Sequence, residues 1–225
     1  IENKDSSTFV IKIPQTTNWR DLATSQSNID IFFPYPPTNK DGTEFVCPDE
    51  YWNTNALTPE KLDSEEEHFR QYTCNVLKHI VFDGCIIYDP ACSTGEFLFY
   101  LKKHFPLCEY IASDRSPAMV SIAKSKISNT FVTDITHNNN NLCCDIIICR
   151  FLNHEVITSQ AAQTALKNII TMLNSNGKII IFGHTPVILD MLEFSTKNKL
   201  NLLTTVGYSK DPEGIFQYYV IEKQK

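Results

Sequence analysis

Apolar residues follow two alternating spacings along the middle of the chain, and this alternation predicts its fold. Short apolar runs typical of buried strands lie near residues 85–89, 109–113, 129–133, 144–149 and 178–183. Residues with helical spacing lie near 95–104, 117–127 and 158–173. Strands that alternate with helices of this length predict a parallel sheet with right-handed crossover connections.

The last part of the chain has a different pattern. Residues 201–208 and 215–221 are rich in β-branched and aromatic residues, and residues 209–214 between them have turn composition. No helix fits in so short a connection, so we expect these two strands to pair antiparallel as a hairpin. The pattern therefore predicts an α/β fold whose mostly parallel sheet ends in an antiparallel strand.

The first part of the chain is expected to form an ordered arm of irregular structure. Residues 1–57 contain several prolines among tryptophan, tyrosine and phenylalanine residues, whereas disordered segments usually lack aromatic residues. Helical signals begin at Thr58-Pro59-Glu60, a cap followed by a proline and an acid in the first turn, and helical spacing continues to Ile80. We therefore expect a lid over the active site in residues 1–57 and the main domain in residues 58–225.

Composition and charge narrow the class of partner. The chain has 225 residues, of which 42% are hydrophobic and 20% charged, and its net charge is −6; these values are typical of soluble globular proteins. There is no basic stripe, which argues against a nucleic-acid partner. No apolar run approaches the ~20 residues of a membrane span. These features favour a small-molecule substrate and a protein that is a monomer or a homodimer.

The eight cysteines do not have the spacing of a metal site. There is no C-x-x-C pair, so we expect no bound metal. Five of them lie in or beside apolar strand-like runs and are expected to be buried reduced thiols, namely Cys85, Cys108, Cys143, Cys144 and Cys149. Reduced thiols favour a cytoplasmic location.

Two carboxylates at strand ends are the strongest chemical signal in the chain. Asp89 ends the first strand of the alternating region and precedes a turn of small residues that reaches Gly95, while Asp114 ends the next strand. In nucleotide sites of α/β sheets the turn after the first strand lies beneath the cofactor, and an acid after the second strand accepts ribose hydroxyls. The spacing therefore predicts a site for a nucleoside-containing cofactor.

A dinucleotide is the competing cofactor for this arrangement. It requires glycines that let backbone N–H groups approach a pyrophosphate at the start of a helix. The turn lacks the G-x-G-x-x-G pattern, and Glu96 would face a phosphate with like charge. A cofactor that carries an ammonium group and no phosphate suits this acidic turn better.

The string Asp89-Pro90-Ala91-Cys92-Ser93-Thr94-Gly95 resembles the first motif of the class I S-adenosylmethionine-dependent methyltransferases, a resemblance that covers about residues 58–225. Asp114 matches the ribose-binding acid of that family, and Thr133-Asp134-Ile135 matches its adenine-side segment. The chain departs from the family at Cys92, where most relatives carry glycine, and a positive φ there would strain a cysteine. The resemblance implies a Rossmann-like seven-stranded sheet flanked by helices, with strand order 3-2-1-4-5-7-6 and strand 7 antiparallel.

The resemblance also implies S-adenosyl-L-methionine as the cofactor, S-adenosyl-L-homocysteine as its product, and roles for individual residues. The residues expected to contact the cofactor are Asp89, Ala91, Cys92, Ser93, Gly95, Asp114, Arg115, Met119, Asp134, Ile135, Cys149, Arg150, Phe151, Tyr51 and Arg70. His154 and His184, which follow strands 4 and 5, are the candidate catalytic residues. The candidate substrate contacts are Trp19, Tyr35, Trp52 and Glu155.

The expected reaction is transfer of a methyl group to an O or N atom of a small metabolite or natural product. A protein methyltransferase would share every cofactor residue, and so would a catalytically silent cofactor-binding module, so both alternatives stay open. Methylation of nucleic acid is disfavoured by the net charge of −6.

Overall fold

The structure of the chain is a computed structural model that describes residues 9–12, 29–32, 38–64, 66–137, 142–183, 187–211 and 214–224. These residues divide into two compact units. Unit 1 takes those that fall within 1–46, 150–164 and 179–224, and unit 2 takes those within 47–149 and 165–178.

Strands and helices alternate through the middle of the chain as the apolar spacing predicts. The strands are β1 (Phe9–Lys12), β2 (Ile29–Phe32), β3 (Ile86–Asp89), β4 (Glu109–Asp114), β5 (Thr130–Val132), β6 (Cys144–Cys149), β7 (Leu173–Gly183), β8 (Leu200–Asp211) and β9 (Gly214–Lys223). The helices are α1 (Asp49–Asn55), α2 (Pro59–Ser64), α3 (Glu67–Leu77), α4 (Glu96–His104), α5 (Pro117–Ala123), α6 (Ser159–Met172) and α7 (Met191–Lys197).

Seven of the strands form one sheet with the order β5-β4-β3-β6-β7-β9-β8. Strand β3 pairs in parallel with β4 and with β6, and β4 pairs in parallel with β5. Strands β8 and β9 pair antiparallel as a hairpin. Counted from β3, this is the order 3-2-1-4-5-7-6 with the seventh strand antiparallel, so the predicted fold class is confirmed.

The register of the unit 2 strands is fixed at the end of the sheet opposite to Asp89. The carboxylate of Asp145 in β6 accepts a hydrogen bond from the backbone N–H of Ile86 at 2.9 Å and one from the side-chain amide of Asn174 at 2.8 Å. One side chain thereby joins the starts of β3, β6 and β7. At the other end of the strands, Asp89 lies beside Ala112, which brings the ends of β3 and β4 together.

Three elements differ from the prediction. The helical stretch predicted up to Ile80 consists of two helices, α2 and α3, because the apolar spacing belongs only to the second. Helix α7 was not predicted. Strand β7 begins at Leu173, before the predicted turn over residues 174–177, yet the chain does fold tightly there: Asn176 has a φ of 63°, and a Cβ on Gly177 would lie 2.9 Å from the Asn174 carbonyl oxygen.

The region before residue 58 contains regular structure that the sequence pattern did not indicate. In unit 1, β1 and β2 form a parallel pair in which Phe9 lies beside Ile29. In unit 2, α1 spans Asp49–Asn55. The lid role of residues 1–57 stays a prediction.

The cysteine predictions are confirmed in part. Cys85, Cys144 and Cys149 are buried free thiols, and Cys108 is half-buried. The prediction was wrong for Cys143, which is exposed because it precedes the first residue of β6. Among the described residues, no group of three or more His, Cys, Asp or Glu side chains is placed to hold a metal ion. No helix within the described ranges is long and apolar enough to cross a membrane.

Candidate functional site

The turn after β3 is tied to the end of β4. Asp89 is fully buried, and its Oδ1 accepts a hydrogen bond from the backbone N–H of Ala91 at 3.1 Å. The N–H of Cys92 donates to the carbonyl of Ser113 in β4 at 2.8 Å. The Ser113 hydroxyl donates to the carbonyl of Pro90 at 3.3 Å. The turn is therefore held by its own acid on one side and by the neighbouring strand on the other.

The left-handed residue of this turn is Ser93 and not Cys92, where the resemblance placed the departure from glycine. Ser93 has a φ of 53° and Gly95 a φ of 80°, and Cys92 is not among the residues with positive φ. The N–H of Gly95 donates to the carbonyl of Cys92 at 3.0 Å, which closes a four-residue turn with Ser93 in its second position. Position 92 therefore does not have the positive φ that would strain a cysteine, and it is Ser93 that adopts one.

Asp114 is oriented by two backbone donors from different segments. Its Oδ2 accepts from the N–H of Ser93 at 2.9 Å, and its Oδ1 accepts from the N–H of Ser116 at 2.9 Å. The two N–H groups come from the turn after β3 and from the loop after β4, so the carboxylate is fixed between these two segments.

One face of α5 and the turn after it contact the same loop. The hydroxyl of Ser93 lies 3.6 Å from the sulfur of Met119. A Cβ on Gly95 would lie 3.1 Å from the Cβ of Ala123, so the glycine permits a close approach between turn and helix. Lys126 was not predicted to lie here: its Nζ donates to the carbonyl of Thr94 at 2.7 Å and pairs with Glu96 at 2.8 Å. Its spacing from Met119 and Ala123 is the signal that places it on this face.

The pairing of Glu96 changes one argument made from the sequence. We expected the Glu96 carboxylate to face the ligand and repel a phosphate, but it lies against Lys126 instead. A dinucleotide is therefore disfavoured by the missing glycines of the turn and not by the charge of Glu96.

Helix α1 is attached to the loop that follows Asp114. Asp49 pairs with Arg115 at 3.2 Å, and the hydroxyl of Ser116 donates to the side-chain oxygen of Asn53 at 2.6 Å. The same hydroxyl accepts from the N–H of Met119 at 3.2 Å and so caps α5. The contacts bring α1, with its exposed Tyr51 and half-buried Trp52 in an edge-on ring contact, to the Asp114 end of the sheet.

Asp134 follows β5 and is held only by its own turn. Its Oδ1 accepts from the N–H and from the hydroxyl of Thr136, at 2.8 and 2.7 Å. The adjacent Ile135 is buried, and its carbonyl accepts from the side chain of Asn168 at 2.9 Å. The segment after β5 is therefore fixed to α6 by its backbone, while the acid has a local partner.

Two further predicted cofactor residues of unit 2 are buried. Cys149 ends β6, and burial raises the pKa of its thiol well above the usual range, with the Asp89 carboxylate raising it further. The thiol is therefore neutral, and it lies close enough to Asp89 for that carboxylate to affect its pKa. Arg70 in α3 is buried and lies 4.0 Å from Glu66.

The predicted residues after β6 belong to unit 1. Arg150 and His154 are half-buried, Phe151 is buried, and Glu155 is exposed. Burial lowers the pKa of the His154 imidazole below its ordinary value of 6.5, and the Glu155 carboxylate opposes this shift. His154 is therefore neutral at neutral pH.

The segment after β7 is attached to this loop within unit 1. The N–H of Ile188 donates to the carbonyl of Leu152 at 3.0 Å, and the N–H of Val187 donates to the buried side-chain oxygen of Gln217 at 2.6 Å. Three predicted site residues lie outside the described residues: Trp19, Tyr35 and His184.

The central part of the chain matches a known family. A family model described as a methyltransferase domain matches residues 87–177, which include the turn after β3, Asp114 and Asp134.

Two curated proteins are related to this chain by sequence. Isonocardicin synthase of Nocardia uniformis subsp. tsuyamanensis is 28% identical over 202 residues, which are 89% of this chain and 66% of that protein. Carboxy-S-adenosyl-L-methionine synthase of Campylobacter jejuni subsp. jejuni serotype O:6 is 32% identical over 149 residues, which are 60% of each protein. The chain therefore spans less than two thirds of the length of either relative.

A solved structure shares the fold. The N-methyltransferase NodS of Bradyrhizobium japonicum WM9, solved in complex with S-adenosyl-L-homocysteine, superposes with a TM-score of 0.58 at 15% identity. The match covers 71% of this chain and 88% of NodS.

Proposed function

Because this chain belongs to the class I S-adenosylmethionine-dependent methyltransferase family, we propose that it binds S-adenosylmethionine and transfers its methyl group to an O or N atom of a small molecule. S-adenosylhomocysteine is the product of the cofactor. The observation that carries the proposal is the carboxylate of Asp114, which the backbone N–H groups of Ser93 and Ser116 orient at the end of β4, where an acid of such a sheet accepts ribose hydroxyls.

The side chains and backbone of unit 2 fit this cofactor. S-adenosylmethionine offers ribose hydroxyls, an amino group and an adenine amino group, all of which are donors, and it has no phosphate. The chain supplies acceptors at matching positions: Asp114 for the ribose, Asp134 for the adenine amino group, and the Asp89 turn for the methionine part. Arg70 and Tyr51 are the candidates for its carboxylate.

The chain's own contribution to the reaction is binding, alignment and control of one proton. When bound, the cofactor supplies a methyl group on a positively charged sulfur, which an acceptor atom attacks in line. Holding the two reactants in that geometry can lower a barrier by ~7–11 kcal/mol. The rigid turn between Asp89 and Gly95 suits this task because its backbone is held by β4 and α5.

His154 is the proposed base for acceptors that must lose a proton. Its lowered pKa keeps the imidazole neutral at neutral pH, which is the form that accepts a proton. Since the neutral form disappears as pH falls through the lowered pKa, the acid limb of the activity profile should lie below pH 6.5, the ordinary His value. His184 is the second candidate, from the segment after β7.

A pH profile of His154→Gln tests this role once an acceptor is known. The variant should lose about 10²-fold or more in kcat and should lose the acid limb, while His79→Gln, an exposed histidine, should behave like the wild type. An unchanged acid limb in His154→Gln would remove His154 from the reaction.

The acceptor is proposed to be a small metabolite or natural-product intermediate. The net charge of −6 disfavours a nucleic-acid acceptor. The curated relative with the broadest coverage is named as a synthase of isonocardicin, and NodS is named as an N-methyltransferase. Trp19, Tyr35, Trp52 and Glu155 are the proposed acceptor contacts, and residues 1–57 the proposed lid.

Calorimetry with three ligands tests the cofactor. S-adenosylmethionine and S-adenosylhomocysteine should bind, and NADH should not. Binding of NADH alone would overturn the proposal. A screen of small-molecule extracts with S-adenosylmethionine should then reveal a product heavier by one methylene, together with S-adenosylhomocysteine.

A second candidate reaction follows from the names of the two curated relatives. Both are named synthases, and neither name specifies methyl transfer. The sulfonium of S-adenosylmethionine bears three carbons, and attack at the carbon of its aminocarboxypropyl arm would move that group and release methylthioadenosine. Identifying the released nucleoside separates the two: S-adenosylhomocysteine supports methyl transfer, whereas methylthioadenosine supports transfer of the larger group.

A further inference from the structure

We propose that Lys126 is a positioning residue that holds the turn from Cys92 to Gly95 in its cofactor-binding conformation. The proposal rests on the cofactor role of this turn given above. The proposal assigns a function to a side chain outside the motif, through the hydrogen bond between its Nζ and the carbonyl of Thr94, which spans 32 positions in sequence.

The contact between Lys126 and Thr94 is buried. Thr94 is 2% exposed, and the Lys126 side chain is 16% exposed. The Nζ to carbonyl distance is 2.7 Å, which is short for a charge-assisted hydrogen bond. A buried carbonyl that loses such a donor is costly, so this contact has consequences that an exposed lysine pair lacks.

The Thr94 carbonyl lies at the point of the turn where the backbone is most constrained. Ser93 on one side has a φ of 53° and Gly95 on the other has a φ of 80°. Asp114 holds the N–H of Ser93 from the β4 side, and Lys126 holds the carbonyl of Thr94 from the α5 side. The peptide groups of the turn are thereby fixed from two directions.

The ion pair with Glu96 does not by itself explain Lys126. Glu96 is the first residue of α4, where the helix dipole already favours a negative charge. Its side chain is 33% exposed, so water also solvates it. The Glu96 carboxylate is therefore stabilised without the lysine, whereas the buried Thr94 carbonyl would lose its hydrogen-bond donor.

Four variants separate bracing of the turn from charge balance. Lys126→Met removes both contacts, and Lys126→Arg keeps a donor and a charge. The double variant Lys126→Met with Glu96→Gln removes the imbalance of charge but leaves Thr94 without its donor. Lys124→Met is the matched control, because Lys124 is exposed and lies one residue after the end of the same helix.

Two readouts are measured for each variant: affinity for S-adenosylhomocysteine by calorimetry, and amide hydrogen exchange of Ser93 and Gly95 in the ligand-free protein. We expect Lys126→Met to bind the ligand about tenfold more weakly and to exchange faster at Gly95. Lys126→Arg should recover most of the affinity, the double variant should remain weak, and Lys124→Met should match the wild type.

Three results would overturn the proposal. These are wild-type affinity in Lys126→Met, recovery of affinity in the double variant, and unchanged exchange at Gly95 in Lys126→Met. Should Lys126→Met fail to fold, Lys126→Gln serves in its place, since it removes the charge and its side chain is too short to keep the Nζ position that contacts Thr94 and Glu96. If the wild type does not bind S-adenosylhomocysteine, the proposed function fails, while the exchange of Gly95 still decides whether Lys126 holds the turn.

Discussion

Asp114 and Asp134 both lie where a parallel strand of unit 2 ends, yet they are held in different ways. Asp114 is the last residue of β4, and Asp134 lies two residues after the end of β5. Asp114 accepts from Ser93, which is 21 positions away, and from Ser116. Asp134 accepts from Thr136, two residues later, and lies 3.7 Å from the ring of His137, so among the described residues its carboxylate contacts lie within its own turn.

The two acids differ in how rigidly their carboxylates are held. A carboxylate held by a distant segment cannot rotate without breaking a tertiary contact, whereas one held by its own turn moves with that turn. Asp114 also holds Ser93 in its left-handed conformation, so the acid and the motif turn form one structure. We therefore expect the affinity for the cofactor to depend strongly on Asp114 and weakly on Asp134.

Asp114→Asn should have the largest effect. The change replaces one acceptor oxygen of the carboxylate by an NH2 group, which is a donor. In either orientation of the amide this NH2 group faces another donor, a ribose hydroxyl or a backbone N–H. Hydrogen bonds to charged groups contribute about 1.5–3 kcal/mol each, so we expect affinity for S-adenosylhomocysteine to fall about 100-fold by calorimetry. Asp49→Asn, which changes only the exposed partner of Arg115, is the control and should lose less than about threefold.

Gly95→Ala should have the next largest effect, through the turn that Asp114 holds. The new methyl group would lie 3.1 Å from the Ala123 Cβ and 3.2 Å from its Cα, and the φ of 80° is unfavourable for alanine. We expect a loss of about 2–4 kcal/mol in the free energy of unfolding, from the φ penalty and overpacking together.

Gly84→Ala is a matched control for that measurement. Gly84 has a φ of 79°, but no atom lies within 4 Å of the position of its Cβ. It should therefore lose only the ~1–2 kcal/mol of the backbone term. Equal losses in the two variants would mean that the approach of the turn to α5 is not tight.

Asp134→Asn should have the smallest effect of the three substitutions at Asp114, Gly95 and Asp134. Its oxygen keeps a local acceptor role toward Thr136, and the contact proposed for it with the adenine amino group is a single hydrogen bond. We expect affinity for S-adenosylhomocysteine to fall about threefold to tenfold. A loss as large as that of Asp114→Asn would contradict this expectation, because an acid held by its own turn would then contribute as much to binding as an acid held by a distant segment.

The sequence predicted the strand-end acids well, because strand ends follow directly from apolar spacing and from the parallel arrangement. It placed Asp89 and Asp114 at adjacent strand ends, and the register of β3 and β4 confirms this placement. It also predicted the seven-stranded order, since the resemblance covers the whole alternating region and the terminal hairpin.

The parts that the sequence did not predict depend on tertiary contacts. Asn53 reaches Ser116 across 63 positions, and Lys126 reaches Thr94 across 32. The pairing of Asn53 has no local signature in the chain, and the spacing of Lys126 from Met119 and Ala123 indicates its face but not its partner. The sequence does not indicate that Ser93 takes the positive φ of the turn, because the hydrogen bond from the N–H of Gly95 to the carbonyl of Cys92 has no signature in the residue types.

Removing the ribose hydroxyls from the ligand tests whether Asp114 binds the ribose. Calorimetry compares S-adenosylhomocysteine with its 2′,3′-dideoxy analogue on the wild type and on Asp114→Asn. We predict that the wild type binds the analogue about 100-fold more weakly and that Asp114→Asn binds both ligands with nearly equal affinity. Equal affinity of the wild type for both ligands, or a full hydroxyl preference in Asp114→Asn, would contradict the assignment of Asp114 to the ribose.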